Sequence, residues 1–415
     1  MLKRTIPLLL MAILLLLNSC HLASRRNRTY DPAQVNFIAT YNPTFDNILY
    51  PSMLLALSNY SGDSAQVLFS CSLTAPTSNA VLRIVVDSSA LNYVTILQEV
   101  LPRRGQQYNF EIPIKWKYDK LYNLRQQGGV DLTFTCFIND EEVDIKNLRL
   151  NYRSVNECLL CAVDTARKAI DYRWLFMGYV NEDHPFIDSI LSTALQQGQV
   201  HQFSGYQKNN EKFVSDQVFA IWNYALNRGI AYSSISCTSN PSKRATTQHI
   251  RFFDEVYNSR QANCIDACVF FASILRKIGL YPVILVEPCH AYLGYYTDKQ
   301  KKHLSLLETT VTGWVNFPAM DRTYAEHHQL TDEQWSKIVP YLSEQQRNAW
   351  RAGVLSYEEL KIDVSKNLFK QATDYRKEDY EANKEAFRDD NQTRYQLLVV
   401  DELRRFVQPI GLLLE

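Results

Sequence analysis

The chain is 415 residues long and 46% hydrophobic, with 44 basic side chains against 44 acidic ones. That length is too great for one ordinary domain, and the apolar content is ample for buried cores. A net charge of zero gives no reason to expect nucleic-acid binding or strong steering by charge.

At the N-terminus, Lys3 and Arg4 precede an apolar run from Ile6 to Leu17, then small and polar residues. The run is short for a membrane span and has the shape of a secretory signal. The segment Leu17-Asn18-Ser19-Cys20 resembles the bacterial lipobox. That resemblance implies cleavage before Cys20 and lipid on its sulfur and new amine, with residues 1–20 as the signal; the alternative is an ordinary signal peptide with a chance cysteine. Two or more acyl chains anchor stably, because each buried methylene contributes about 0.8 kcal/mol. The expectation is a lipoprotein of the bacterial cell envelope, held to a bilayer through Cys20 and facing the periplasm or the exterior. Residues 21–32, with Arg25-Arg26-Asn27-Arg28, read as a solvated linker.

Residues 33–152 read as β. Val67–Leu73, Val81–Val86 and Val130–Ile138 are rich in β-branched and aromatic side chains and partly alternate. Turn clusters at Ser61–Ser64 and Asn139–Glu141 separate such runs. Several strands in this length suggest a small β-sandwich. Cys71 and Cys136 are spaced as in an immunoglobulin inter-sheet disulfide, but Trp116 falls too late for that pattern.

Residues 153–320 change period. Phe186–Leu195 reads as a helix with Pro185 at its first turn, and Phe213–Leu226 as an amphipathic helix ended by Gly229. Trp222 at helical spacing belongs to a core. Ile230-Ala231-Tyr232 looks like a strand. Then comes Asn263-Cys264-Ile265-Asp266, opening a helix whose apolar residues 265, 268, 269, 272, 275 and 278 share a face. Asn263 is a favourable N-cap, Gly279 is placed as the C-terminal cap, and Pro282 follows. A thiol in the first helical turn sits where the macrodipole favours the thiolate. Cys268, one turn on, reads as a core residue and Asp266 as a helix-dipole residue. Val283–Glu287 and His290–Tyr296 are short strands broken by Pro288-Cys289. After a turn at Thr297–Lys302, Leu304–Thr309 returns. A hairpin about that turn puts Glu308 opposite His290 or Ala291, where a carboxylate can hold the imidazole's orientation. Asp298 lies at the wrong end of this hairpin, and Asp321 is less constrained.

This order, Asn-Cys-Ile-Asp, a long apolar helix, a strand, then His290-Ala291-Tyr292, resembles a transglutaminase-like domain of the papain-like superfamily. The resemblance covers residues from about 213 to 315. It implies Cys264 as nucleophile, His290 as base and Glu308 in the place of the usual Asp. The backbone N–H of Cys264 is one natural oxyanion donor, and Gln261 and Tyr232 are candidates for a second. Neither a cofactor nor a metal is called for. Cys289 beside His290 is unexpected; paired with Cys264 or Cys268 it would silence the site.

Residues 321–415 read as a helical C-terminal region. Thr331–Gln334 and Ser356–Glu359 look like capping boxes, and the charges between Lys370 and Arg388 look like solvated helix faces. Cys158 and Cys161 form a lone C-x-x-C without a second pair, more typical of a structural disulfide or two buried thiols than of half a zinc site. The expected architecture is α+β: a β-sandwich, then the transglutaminase-like domain, then the helical region. The expected function is a cysteine peptidase, amidase or acyltransferase working through a thioester on a peptide or protein of the cell envelope. The alternative is an inactive binding or scaffold lipoprotein that keeps the fold.

Overall fold

The computed structural model describes residues 30–58, 68–234, 238–389 and 392–411. The signal segment, Cys20, most of the linker at 21–32, the turn at Ser61–Ser64 and Cys237 lie outside them. The fold is mixed, 39% helical and 26% strand, with several sheets. The chain forms two compact units. Two stretches inside 33–152, residues 44–58 and Tyr118–Gly128, belong with the second unit, which also takes the described residues of Asn151–Glu415.

In the first unit, Ile38–Tyr41, Phe69–Thr74 and Gln107–Glu111 make a three-stranded antiparallel sheet. Four strands of a second sheet run in the order Glu141–Tyr152, Gly128–Ile138, Ala80–Val86, Thr95–Leu101. Alternation sets the buried faces: Phe69, Cys71 and Leu73 point inward on one sheet, and Leu132, Phe134 and Cys136 on the other. Phe69 meets Phe134 with ring centroids 6.1 Å apart and Trp116 at 6.0 Å. Cys71 and Cys136 are both buried free thiols, and burial pushes each up to about 12.

The second unit is built around the helix Cys264–Lys277. Its residues from Ile265 to Leu275 are all buried, so the single apolar face expected from spacing is corrected: the helix is central and wrapped on every side. Trp222, on the helix Glu211–Arg228, is buried and stacks on Phe271 at 6.1 Å. Beside the cysteine helix lies an antiparallel sheet with strand order Leu304–Leu307, His290–Tyr296, Pro282–Glu287, Gln396–Val399. The last strand corrects the reading of residues 321–415 as helical only. Four residues are too few for a strand pattern to stand out, and its pairing partner lies more than a hundred residues upstream.

Helix Tyr357–Asp374 packs on the Leu304–Leu307 strand through Leu360, Val364, Leu368 and Ala372, a row at four-residue spacing with no exposure. Helix Lys377–Arg388 inserts Tyr380 and Phe387 among Val283, Leu285, Tyr292 and Val399. The capping boxes at Thr331 with Gln334 and at Ser356 with Glu359 are both formed. A separate four-stranded sheet contains Glu157–Val163. Cys158 and Cys161 lie on that strand on either side of a register shift at Leu160, and both are free.

Candidate functional site

The site begins with a helix end. Asn263 accepts from the Asp266 N–H at 2.8 Å, and Asp266 accepts from the Asn263 N–H at 3.0 Å. This reciprocal capping box starts the helix at Cys264 and fixes where the thiol stands. Asp266, buried, also accepts from the Arg251 N–H at 2.8 Å and the Arg251 guanidinium at 2.6 Å. Its carboxylate is spent on the helix terminus, not on the imidazole. At the other end, Gly279 takes φ +78°, and the Leu280 N–H returns to the Leu275 carbonyl at 3.0 Å.

The imidazole is placed by a tight hairpin. Glu287 pairs with His290 across the two-residue turn Pro288-Cys289, where Cys289 adopts φ +64°. That conformation favours glycine, so cysteine is an uncomfortable occupant. Cys289 is exposed and free. All seven cysteines among the described residues are free, so no disulfide joins Cys289 to Cys264 or Cys268.

The carboxylate arrives differently from the expectation. Leu293 pairs with Leu307, and the strand ends there. Glu308 therefore is not opposite His290 or Ala291. It leaves the strand as the N-cap of the short helical turn Thr309–Gly313 and reaches the imidazole diagonally. His290 Nε2 lies 2.8 Å from Glu308 Oε2. The Cys264 side chain lies close enough to the His290 ring to help raise it. The structure thus brings Cys264, His290 and Glu308 together in that order.

Glu308 is buried with no exposure, and four donors answer it. Oε2 accepts from His290 and from the Arg376 Nε–H at 2.7 Å. Oε1 accepts from the Thr310 N–H at 3.0 Å and its hydroxyl at 2.7 Å. Burial favours the neutral acid, but the bonds from His290, Arg376 and Thr310 outweigh it and hold the carboxyl down at about 2. Burial alone pulls His290 down; its bonds to Cys264 and Glu308, with the Glu308 charge, overcome that and lift it to about 9. At neutral pH the pair is imidazolium and carboxylate.

Arg376 is the residue that sequence reasoning missed. It also meets Glu287 Oε1 at 3.2 Å and Asp379 at 3.3 Å, and its guanidinium lies 5.7 Å from the Tyr292 ring centre. Within the run of charges from Lys370 to Arg388 nothing marks it. The reading of that run as solvated is corrected at this one position.

Of the two oxyanion candidates, Tyr232 is brought beside the site. Burial first, then the Cys264 and Glu308 charges, push its hydroxyl up. It pairs in parallel with Ala262, two residues before Cys264. Gln261 is exposed, and no hydrogen bond among the described residues ties its side chain to the triad. Asp298 caps its turn, accepting from the His303 N–H at 2.7 Å, and Asp321 accepts from the Tyr357 hydroxyl at 2.8 Å. Neither is at the site. Among the described residues, no group of three or more His, Cys, Asp or Glu side chains converges as metal ligands. Comparison with protein families found none that matches this chain, and comparison with curated proteins found no match.

Proposed function

We propose that this protein is a lipid-anchored cysteine enzyme of the transglutaminase-like kind, cleaving or transferring acyl groups from amides in the bacterial cell envelope. The observation that carries this reading is the convergence of Cys264 and Glu308 on the His290 ring, with Nε2 2.8 Å from Glu308 Oε2. A structural role needs no such order, with the thiol at a helix start and an ionised carboxylate behind the ring. Attachment through Cys20 belongs to the same proposal and rests on the sequence Leu17–Cys20.

The chemistry follows from the charges. In this proposal the reactive form of Cys264 is the thiolate beside the His290 imidazolium, and its sulfur attacks the amide carbonyl carbon. A carbon–sulfur bond forms, and the carbonyl electron pair moves to oxygen. The Cys264 amide, in the first helical turn, has no acceptor within its own helix and is free to face that oxyanion. Collapse expels the amine, which takes its proton from His290, and leaves a thioester. Neutral His290 then removes a proton from water or from an acceptor amine. Attack on the thioester returns the thiolate and the imidazolium.

The test is alkylation of Cys264 by iodoacetamide, read at that residue by peptide mass spectrometry, across pH and in His290→Ala. The expected result is rapid labelling at about pH 6 that disappears in the variant, since an unpaired thiol is mostly protonated there. Labelling that follows an ordinary thiol profile in both proteins would favour the binding lipoprotein instead.

A further inference from the structure

Three large aromatic side chains stand exposed beside the candidate site: Tyr232 at 43%, Trp314 at 39% and Tyr375 at 50%. They come from three separate parts of the second unit, and contacts on each side tie them together. Tyr232 feels the charges of Cys264 and Glu308. Gly313, immediately before Trp314, approaches so closely that an added Cβ would stand 2.9 Å from the Tyr232 backbone nitrogen. Trp314 meets Tyr375 edge to face, with ring centroids 6.0 Å apart. Tyr375 is covered in part by Arg376, whose guanidinium lies 5.4 Å from its ring centre and bonds Glu308. The three side chains are thus neighbours along one side of the site, a ledge with Tyr232 at the end next to the Ala262–Cys264 segment and Tyr375 at the Arg376 end.

Charge indicates what the ledge takes. His290 is answered by Glu308, Arg376 by Glu308, Glu287 and Asp379, and Asp266 by Arg251. The charges around the triad are thus consumed by one another. The three rings add exposed aromatic surface beside them, which binds apolar and aromatic groups by burial and edge or face contact.

We propose that the ledge of Tyr232, Trp314 and Tyr375 selects peptide acyl donors that carry an aromatic or large apolar side chain next to the reacting carbonyl. This rests on the reading of Cys264 as nucleophile. In such a complex the carbonyl sits over the Cys264 amide while the neighbouring side chain lies against Trp314 and Tyr375. Acidic or basic side chains there would lose hydration without gaining a partner.

The experiment uses peptidyl acyloxymethyl ketones with Phe, Gly, Asp or Lys next to the ketone. The thiolate displaces the carboxylate, forming a carbon–sulfur bond as the carbon–oxygen bond breaks. The rate at Cys264 should be on the order of tenfold or more faster for Phe than for Gly, the scale that apolar pockets reach. Asp and Lys should be no faster than Gly. The Phe-to-Gly ratio should fall toward one in Trp314→Ala and Tyr375→Ala. Equal rates for Phe and Gly, or preference for Asp or Lys, would overturn the proposal, as would competition by an oligosaccharide in place of a peptide. If the ratio is flat while iodoacetamide labelling still depends on His290, the ledge alone fails. If that dependence is absent, the site reading fails and takes the ledge with it.

Discussion

At the residue scale the controlling fact is that one oxygen, Glu308 Oε2, serves two cations. His290 and Arg376 both donate to it, at 2.8 and 2.7 Å. Replacing Glu308 with Gln removes the charge and keeps the shape. The imidazole keeps the lift from Cys264 but loses the Glu308 charge, while burial, which pulls it down, remains. The acyl-transfer rate should fall about 10²–10⁴-fold, as when an orienting carboxylate is neutralised in other triads. The alkaline limb of the rate, set by His290 as proton donor, should move from about 9 toward neutrality. Stability carries the same signature. The raised His290 contributes fully below about pH 6.5, and that contribution is lost as pH rises through about 9. The depressed Glu308 contributes above about pH 4.5, and this is lost as pH falls toward about 2. The gap in Tm between wild type and Glu308→Gln should therefore be widest between about pH 4.5 and 6.5. A gap that stays constant from about pH 2 to about 9 would show that the pair is not coupled as described.

At the element scale the site depends on how closely the turn Thr309–Gly313 lies against the Tyr232 segment. Gly313 allows that approach because no Cβ intervenes. Gly313→Ala must push the turn away from a backbone atom, and Glu308 begins that turn. The expected cost is about 1–3 kcal/mol, the range for overpacking, together with slower labelling of Cys264. Unchanged thermal unfolding and labelling would show that the segments part without effect on the triad. These elements also show what the chain announces locally. Asn263, Cys264 and Gly279 carry cap chemistry within a few residues, so the cysteine helix and its ends were legible. Glu308 was legible as an acid closing an apolar run. Its register was not, because turn length alone does not decide whether a strand's last residue stays in the ladder or departs into a helical turn.

At the scale of the whole molecule, the site is assembled from distant stretches of chain. Arg376 lies 68 residues beyond Glu308 and was hidden among alternating charges that mostly do face solvent. The strand Gln396–Val399 was hidden by its brevity and by the remoteness of its partner. Neither has a local signal, since each is defined by what it meets after folding. Arg376→Gln gives the prediction proper to this scale. Removing Arg376 takes away a neighbouring positive charge that opposes protonation of His290, so the alkaline limb should move upward. The rate should still fall, by about tenfold, because the carboxylate loses one of its anchors. An alkaline limb that does not move, or moves down, would mean that Arg376 serves only packing.

The placement of Arg376 and the strand Gln396–Val399 has a temporal consequence. A polypeptide emerges amino end first, and its parts can fold in that order. The thiol, the ring and the acid are all present long before the guanidinium that steadies Glu308, and before the strand that completes the sheet beside them. In the proposed enzyme, a half-made chain thus holds the nucleophile and its ring before the acid behind them is fully anchored.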